Sequence, residues 1–134
     1  MRLPTDPAGL TAANPFAGHL GFEIVRAGPT EVVVEAVIKP EHCTAGETAH
    51  GGFLMALADF TGAAGAVMVL PKDAGGTTTI ESKTNMIGAP KVGARLRATS
   101  TPVHVGRRTS VWSTRIETES GKLISLTSQT QLVL

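Results

Sequence analysis

One stretch, residues 51–70, restricts the possible folds more than any other part of the sequence. It contains a single ionisable side chain, Asp59, and consists otherwise almost entirely of Gly, Ala, Leu, Met, Phe and Val. A helix that is apolar on all sides has to be buried. A charge on such a helix is costly unless a partner compensates it. Asp59 is therefore the first candidate for a functional residue, although a buried carboxylate with a purely structural role has the same signature.

The same stretch is about as long as a membrane span, so a membrane helix has to be weighed against a buried helix. A carboxylate in the middle of a span disfavours insertion. The rest of the chain alternates between apolar and polar residues, as strands do. We therefore expect a helix buried against a sheet, and no membrane association.

Alternation of apolar and polar residues predicts strands on both sides of this helix. The predicted order is two strands, one helix at about residues 52–69, and four strands. In the first strand after the helix, Ile80, Ser82, Thr84 and Met86 are expected to share one face. The strands are expected from about residue 22, and at about residues 31–39, 77–87, 94–105, 109–117 and 122–133.

No second helix is predicted that could cover a sheet, so the sheet has to bury its apolar face against the single helix. The fold class is therefore α+β, with a curved antiparallel sheet wrapped around one long buried helix. A chain of 134 residues is sufficient for one domain. We expect an N-terminal arm over residues 1–15, with at most a short helix, and a single domain over residues 16–134.

Charge and cysteine content exclude several classes of protein. The formal net charge is +1, with acidic and basic residues interspersed, which argues against a nucleic-acid or membrane-surface partner. The single cysteine, Cys43, excludes an internal disulfide, and the first residues do not resemble a secretory signal, so we expect a cytoplasmic location. Because His42, Cys43 and His50 do not have the spacing of a zinc site, no metal is expected.

A series of short motifs in a fixed order resembles the hotdog-fold acyl-CoA thioesterases, in particular their PaaI-like (phenylacetate-pathway) branch. The likeness covers nearly the whole chain after Asn14. A His-Gly-Gly triplet alone would be weak support, whereas the ordered series is specific. The motifs are Leu20-Gly21-Phe22, Pro40-Glu41-His42, His50-Gly51-Gly52, Asp59, Thr79-Ile80-Glu81, Ala89-Pro90, Gly93, Gly106-Arg107-Arg108 and Gly121-Lys122-Leu123.

The resemblance implies hydrolysis of an acyl-CoA to a carboxylic acid and free CoA, with no cofactor beyond the CoA of the substrate. It also implies that Thr79 orients water near the acid, although Thr78 is a neighbouring contender and an ordinary strand threonine is the simpler interpretation. Arg107 and Arg108 occupy a loop that often lies near the CoA phosphates in relatives. A solvated hairpin tip is the alternative for both arginines.

Two positions depart from the pattern of this family. Where relatives commonly have Asn or Gln to touch the thioester or the attacking water, this chain has the shorter Thr44. Where relatives usually have Gly, three residues before the histidine, it has Glu47. Both changes affect the predicted mouth of the pocket, so the acyl group that the protein prefers is not determined by the resemblance.

Thioester hydrolysis needs a base or nucleophile, and donors for the oxygen that becomes negative. Asp59 is the predicted general base or nucleophile. Gly51 and Gly52 lie at the predicted start of the helix, where backbone N–H groups are free and a carbonyl can approach closely. Gly51 N–H is the predicted oxyanion donor, and His50 either caps the helix, contacts the substrate, or does both.

Gly51 and Asp59 are eight residues apart, which is about 12 Å along a helix. Both have to lie about 3 Å from one thioester, so a single chain cannot supply them to the same substrate. The sequence therefore predicts a homodimer with two sites shared between subunits, and further assembly into a homotetramer is expected. The main alternative function is a non-catalytic hotdog module that binds or senses acyl-CoA.

Overall fold

The computed structural model of the chain describes residues 3–134. Across these residues a six-stranded antiparallel sheet curves around one long helix, which confirms the predicted fold class. Two short helices precede the sheet. The elements are α1 (Pro7–Ala12), α2 (Pro15–His19), β1 (Glu23–Ala27), β2 (Val32–Val37), α3 (Gly51–Met68), β3 (Thr77–Met86), β4 (Arg95–Val105), β5 (Thr109–Thr118) and β6 (Leu123–Val133).

The strands are arranged in the order β1-β2-β4-β5-β6-β3, and every pair of neighbours is antiparallel. The chain leaves β2 at one side of the sheet, passes through α3, and enters β3 at the opposite edge. As a consequence, β3 pairs only with β6 on one side and leaves its other side unpaired. Helix α3 lies against the sheet. Met86, at one end of β3, is next to Gly51, and Thr79, near the other end, is hydrogen-bonded to Asp59.

Helix α3 has the length and hydropathy of a membrane span, but it packs against the sheet, and 56% of it is buried. Its buried side chains include Phe53, Leu54, Leu57 and Phe60, which join the main hydrophobic core. One stripe of the helix remains partly exposed in the single chain, including Met55, which is 41% exposed. Asp59 lies on this stripe, so the structure gives the carboxylate access to solvent.

Two glycines in α3 allow the sheet to approach the helix closely. A Cβ atom at Gly62 would collide with Oε1 of Gln129, and one at Gly65 would lie 2.6 Å from the Trp112 ring. Gln129 and Trp112 are both fully buried. Glycine is costly in the middle of a helix, and here it provides space for these two large side chains.

A β-bulge in β3 changes which side chains face the helix. The pairing with β6 shifts between Thr79 and Glu81, so Ile80 is the extra residue. Ile80 is 56% exposed, whereas Thr79 points inward. The expectation that Ile80 shares a face with Ser82 and Thr84 was therefore wrong, because simple alternation does not continue through a bulge.

Helix α2 precedes the first strand and is not among the elements that the sequence predicted. Asn14 caps it by accepting a hydrogen bond from the backbone N–H of Ala17 at 3.1 Å, and Pro15 occupies its first turn. Both residue types are typical of helix starts. Two single 3₁₀ turns, Pro40–His42 and Ala45–Glu47, organise the loop before α3.

Glu47 is the non-glycine residue in this loop with a left-handed backbone, at φ 59°. An L-residue in this conformation costs about 1–2 kcal/mol, whereas glycine adopts it freely at an entropic cost of about 0.5–1 kcal/mol. We expect Glu47→Gly to stabilise the protein by about 0.5–1 kcal/mol, measured by urea unfolding. A decrease in the free energy of unfolding would show that the Glu47 side chain stabilises the fold by more than its left-handed backbone costs.

His42 is a buried histidine whose titration should couple folding to pH. It is 5% exposed, stacks on Phe53 with ring centroids 4.3 Å apart, and accepts a hydrogen bond from the backbone N–H of Lys39 through Nδ1. Burial lowers the pKa of His42 below its ordinary value, and the nearby charge of Glu41 opposes this only in part. The folded protein therefore takes up this proton less readily than the unfolded chain.

Stability should consequently fall as the pH drops through the ordinary histidine range, because the unfolded state binds the extra proton. One such group contributes a slope of at most about 1.4 kcal/mol per pH unit. His42→Asn retains an acceptor for Lys39 N–H and cannot titrate, so its unfolding free energy should fall less between pH 7.5 and 5.5. If the unfolding free energy falls by the same amount in the variant and in the unmodified protein, His42 is not the source of the pH dependence.

Candidate active site

The carboxylate of Asp59 is held by one hydroxyl and one amide from the neighbouring strands. Its Oδ1 accepts hydrogen bonds from Thr79 Oγ1 at 3.0 Å and from Gln129 Nε2 at 2.9 Å. Its Oδ2 accepts no hydrogen bond from residues 3–134 and is not buried. One carboxylate oxygen is therefore fixed, and the other is accessible for chemistry.

A second set of hydrogen bonds orients these donors. Gln131 Nε2 donates to Thr79 Oγ1 at 2.6 Å, and Thr77 Oγ1 donates to Gln131 Oε1 at 3.0 Å. Since the Thr79 hydroxyl accepts from Gln131, its own proton is directed at Asp59. Gln129 Nε2 also donates to the backbone carbonyl of Asp59 at 3.2 Å.

The negative charge of Asp59 is compensated by neutral donors. Within residues 3–134, no lysine, arginine or histidine forms an ion pair with it. Gln129 and Gln131 are at most 1% exposed, so these donors lie in a protected environment. Hydrogen bonds to a charged group are stronger than those between neutral groups, which explains how the helix tolerates the carboxylate that the sequence predicted to be costly.

Gln129 and Gln131 were missed in the sequence analysis. The available signal was the alternation in β6, where four successive positions of one face are polar. That face points toward α3 and is buried. A strand that offers polar side chains to an apolar helix indicates a partner on that helix, and Asp59 is the only ionisable candidate. The residues of this face are Ser125, Thr127, Gln129 and Gln131.

The start of α3 presents one free backbone donor. His50 is the N-cap, and its Nδ1 accepts a hydrogen bond from Gly52 N–H at 2.8 Å. The Gly51 N–H donates to no acceptor among residues 3–134. Of the two glycines predicted to bind substrate, Gly51 therefore has the available N–H, and Gly52 uses its own N–H in the cap. With Nδ1 as acceptor, the neutral His50 ring carries its proton on Nε2.

The remaining predicted residues are spread over two regions. Thr44 is exposed in the loop before α3, where its backbone N–H donates to the Thr48 carbonyl at 2.8 Å. Thr78 is exposed and forms no hydrogen bond with Asp59, whereas Thr79 donates one. Arg107 and Arg108 are exposed at the tip of the β4–β5 hairpin.

The hairpin tip lies at the same end of the sheet as Asp59. Ser110, just after the tip, pairs with Gln131, and the Arg108 carbonyl accepts a hydrogen bond from Val133 N–H at 2.8 Å. Gly51 lies at the other end of β3, where a Cβ on it would be 3.4 Å from Met86 Cε. Gly51 and Asp59 of one chain therefore lie near opposite ends of β3, and they are separated as their spacing on the helix predicted.

His42, Cys43 and His50 were excluded as zinc ligands by their spacing. In the part of the chain that the structure describes, no three His, Cys, Asp or Glu side chains are grouped so that they could hold a metal ion. His42 instead stacks on Phe53, and the Cys43 Sγ lies 3.4 Å from the Lys39 carbonyl. These contacts give both residues a structural role in the loop.

Comparison with known proteins agrees with this architecture. The family model of the Thioesterase superfamily matches residues 46–125. A protein of Haemophilus influenzae named "Putative esterase" is 30% identical over 125 residues, which cover 91% of this chain and 87% of that protein. Among solved structures, a mutant of the phenylacetic acid degradation protein PaaI from Thermus thermophilus has a TM-score of 0.83 at 30% identity, covering 90% of this chain and 100% of that chain.

A second solved structure contains a ligand. It is a hypothetical thioesterase from Streptococcus pneumoniae, solved with coenzyme A, with a TM-score of 0.74 at 26% identity. The alignment covers 84% of this chain and 85% of that chain. The family match spans more than half of the chain, and the relatives share its sheet and helix. The protein is therefore a member of the thioesterase superfamily with the hotdog fold.

Proposed function

We propose that the protein is a homodimeric acyl-CoA thioesterase, which hydrolyses a thioester to a carboxylic acid and free CoA. The observation that carries this proposal is the arrangement around Asp59. A carboxylate with Oδ1 held by Thr79 and Gln129, and with Oδ2 accessible, is suited to act on a reacting group. Membership of the thioesterase superfamily supports the reaction type.

Asp59 acts either as the general base that activates water or as the nucleophile that attacks the thioester carbonyl. In both cases the accessible Oδ2 is the reacting oxygen, and Thr79 and Gln129 keep the carboxylate in one orientation. The Thr79 hydroxyl also lies close enough to the acid to help place a water molecule. Its network with Gln131 and Thr77 holds the Thr79 proton toward Asp59.

Gly51 is proposed to stabilise the oxygen that becomes negative in the tetrahedral intermediate. Its N–H is free, and it lies at the positive end of the α3 dipole. The absence of a side chain at Gly51 lets the thioester carbonyl approach the backbone. His50 fixes this first turn through its bond to Gly52 and has Nε2–H available for the substrate.

The dimer is supported by the shape of the free edge of the sheet. Strand β3 is ten residues long and unpaired on its outer side, and Ile80, Met86 and Ile87 are 45–56% exposed. Such an edge readily pairs with another strand. Antiparallel pairing of two β3 strands about a two-fold axis places the Met86 end of one beside the Thr77–Thr79 end of the other.

This pairing would bring together two proposed half-sites, Gly51 of one subunit and Asp59 of the other. Gly51 lies next to Met86, and Asp59 is bonded to Thr79, so each end of the paired β3 strands would hold one Gly51 and one Asp59 from different subunits. The partly exposed stripe of α3 that carries Met55 and Asp59 would face the same interface. Each dimer would then contain two equivalent sites.

CoA is the proposed leaving group because a related thioesterase was solved with coenzyme A. Arg107 and Arg108 are suited to its phosphates, since the arginine side chain presents a fork of donors and keeps its charge. Both are exposed at the Asp59 end of the sheet. Thr44, in the exposed loop before α3, is proposed to contact the substrate near the mouth of the site.

An assay of thiol release from a panel of acyl-CoA thioesters tests this function. The panel includes aryl, short-chain, medium-chain and long-chain acyl groups, and binding of each thioester is measured in parallel by calorimetry. We expect hydrolysis of at least one class. If several thioesters bind and none is hydrolysed, the protein is an acyl-CoA-binding module and the enzymatic proposal is wrong.

A further inference from the structure

We infer that the acyl group binds in an apolar cavity between the N-terminal arm and α3, and that Ala63 limits the length of acyl chain it accepts. This inference rests on the proposed thioesterase function and adds the class of acyl group. It also gives a role to the N-terminal arm.

The cavity has a volume of about 150 Å³, is partly open to solvent, and lies between the N-terminal arm, α3 and Thr77 at the start of β3. The arm contributes Leu10, and α3 contributes four side chains, of which Ala63 and Val67 are partly exposed. Among residues 3–134, those that line the cavity include no ionisable side chain. The lining is thus suited to hydrocarbon. The α3 residues are Phe60, Ala63, Ala64 and Val67.

The cavity begins one helical turn beyond Asp59. Ala63 follows Asp59 by four residues, so the two share one face of α3 about 6 Å apart along its axis. The Cβ of a helical residue tilts toward the N-terminus, so the Ala63 methyl points toward Asp59. Thr77, on the opposite wall, begins the hydrogen-bond chain that ends at Asp59. An acyl chain attached to a carbonyl at Asp59 can therefore extend directly into this space.

A second cavity, of about 200 Å³, lies at the start of α3 and is the competing location. Apolar residues form part of its lining, but Glu41, His42 and His50 also line it; the others are Phe16, Leu20, Gly52, Phe53 and Ala56. Charged and polar groups lose hydration when a hydrocarbon chain covers them, so burial of methylenes there is less favourable. The arm cavity is lined by two neutral polar residues, Asn14 and Thr77, and by no ionisable one, so it is the better match to an acyl chain.

The volume predicts the length of the preferred chain. An apolar cavity of about 150 Å³ accommodates a group of the size of benzene, which corresponds to a linear chain of about six carbons. Each buried methylene improves affinity by roughly fourfold. We therefore expect kcat/KM to increase on the order of 10²-fold from acetyl-CoA to hexanoyl-CoA and then to level off up to dodecanoyl-CoA.

A matched pair of substitutions on α3 tests the location. Ala63→Leu places a larger side chain in the arm cavity, whereas Ala56→Leu makes the same change beside the competing cavity. Both alanines are partly exposed. We expect Ala63→Leu to lower the hexanoyl-to-acetyl ratio of kcat/KM at least about tenfold, and Ala56→Leu to leave that ratio unchanged. Circular dichroism and thermal unfolding establish that both variants are folded.

The outcomes separate this inference from the proposed function. If acetyl-CoA and hexanoyl-CoA are hydrolysed equally well, or if Ala56→Leu changes the ratio and Ala63→Leu does not, the arm cavity is not the acyl site although the protein is a thioesterase. If no thioester is hydrolysed by the unmodified protein, the proposed function itself fails. If the unmodified protein prefers hexanoyl-CoA and Ala63→Leu removes that preference, the result supports both the arm cavity as the acyl site and the thioesterase function.

Discussion

Replacement of Asp59 by Asn is expected to lower kcat by about 10²–10⁴-fold, which is the usual contribution of a general base. An asparagine can still accept hydrogen bonds from Thr79 and Gln129 through its carbonyl oxygen. The fold should therefore persist, while the group that activates water or attacks the carbonyl is lost. Steady-state hydrolysis of the best thioester in the panel measures the effect.

Thr101→Ala is a suitable control for this experiment, because Thr101 is exposed on β4, which β5 and β6 separate from β3. It should leave kcat within about twofold of the unmodified protein, as most surface changes do. Full activity in Asp59→Asn, with a normal melting temperature, would remove Asp59 from the mechanism. It would also make the Thr79 and Gln129 contacts purely structural.

Replacement of Gly51 by Pro should lower kcat by about 10²–10³-fold, the usual effect of removing one oxyanion donor. Gly51 is the first residue of α3, where proline is well tolerated because its missing N–H has no helical partner. His50, which precedes it, already has φ −62° and ψ 137°, a conformation that a following proline favours. The substitution therefore removes the proposed donor with little disturbance of the helix.

Gly51→Ala is the matched control, because it adds a side chain and keeps the N–H. The new methyl group would lie 3.4 Å from the flexible end of Met86, which is an ordinary contact. We expect it to retain kcat within about tenfold, with any loss caused by poorer approach of the carbonyl. If Gly51→Pro is as active as Gly51→Ala, the oxyanion is stabilised by another group.

The main elements could be predicted from the sequence because their patterns are long and uninterrupted. The apolar run around Asp59 has the composition of a buried helix, and alternation over many residues identifies the strands. The separation of Gly51 and Asp59 was also predictable, since their spacing is fixed by helix geometry. The contact between Asp59 and Thr79 followed from the resemblance to the hotdog thioesterases, and the structure shows this hydrogen bond.

Other features depend on contacts between distant parts of the chain. The bulge at Ile80 is set by its register with β6, so local alternation placed Ile80 on the wrong face. Gln129 and Gln131 resemble ordinary polar strand residues until β6 is placed beside α3. The cap that occupies Gly52 N–H and leaves Gly51 N–H free depends on the His50 side-chain orientation, which the sequence left open.

Mixing the Asp59→Asn and Gly51→Pro chains tests most directly whether the site is shared between two subunits. Each variant alone has one essential group missing from both of its sites. A mixed dimer has one site with both defects and one site with neither, because that site takes Asp59 from one chain and Gly51 from the other. Chains with different affinity tags can be co-expressed, and the mixed dimers isolated by two successive purifications.

We expect the isolated mixed dimers to recover about half of the activity of the unmodified dimer, since one of two sites is intact. The homodimers of each variant should remain nearly inactive under the same conditions. Mixed dimers that form normally but are no more active than the two variants would contradict a site composed of Asp59 from one subunit and Gly51 from the other.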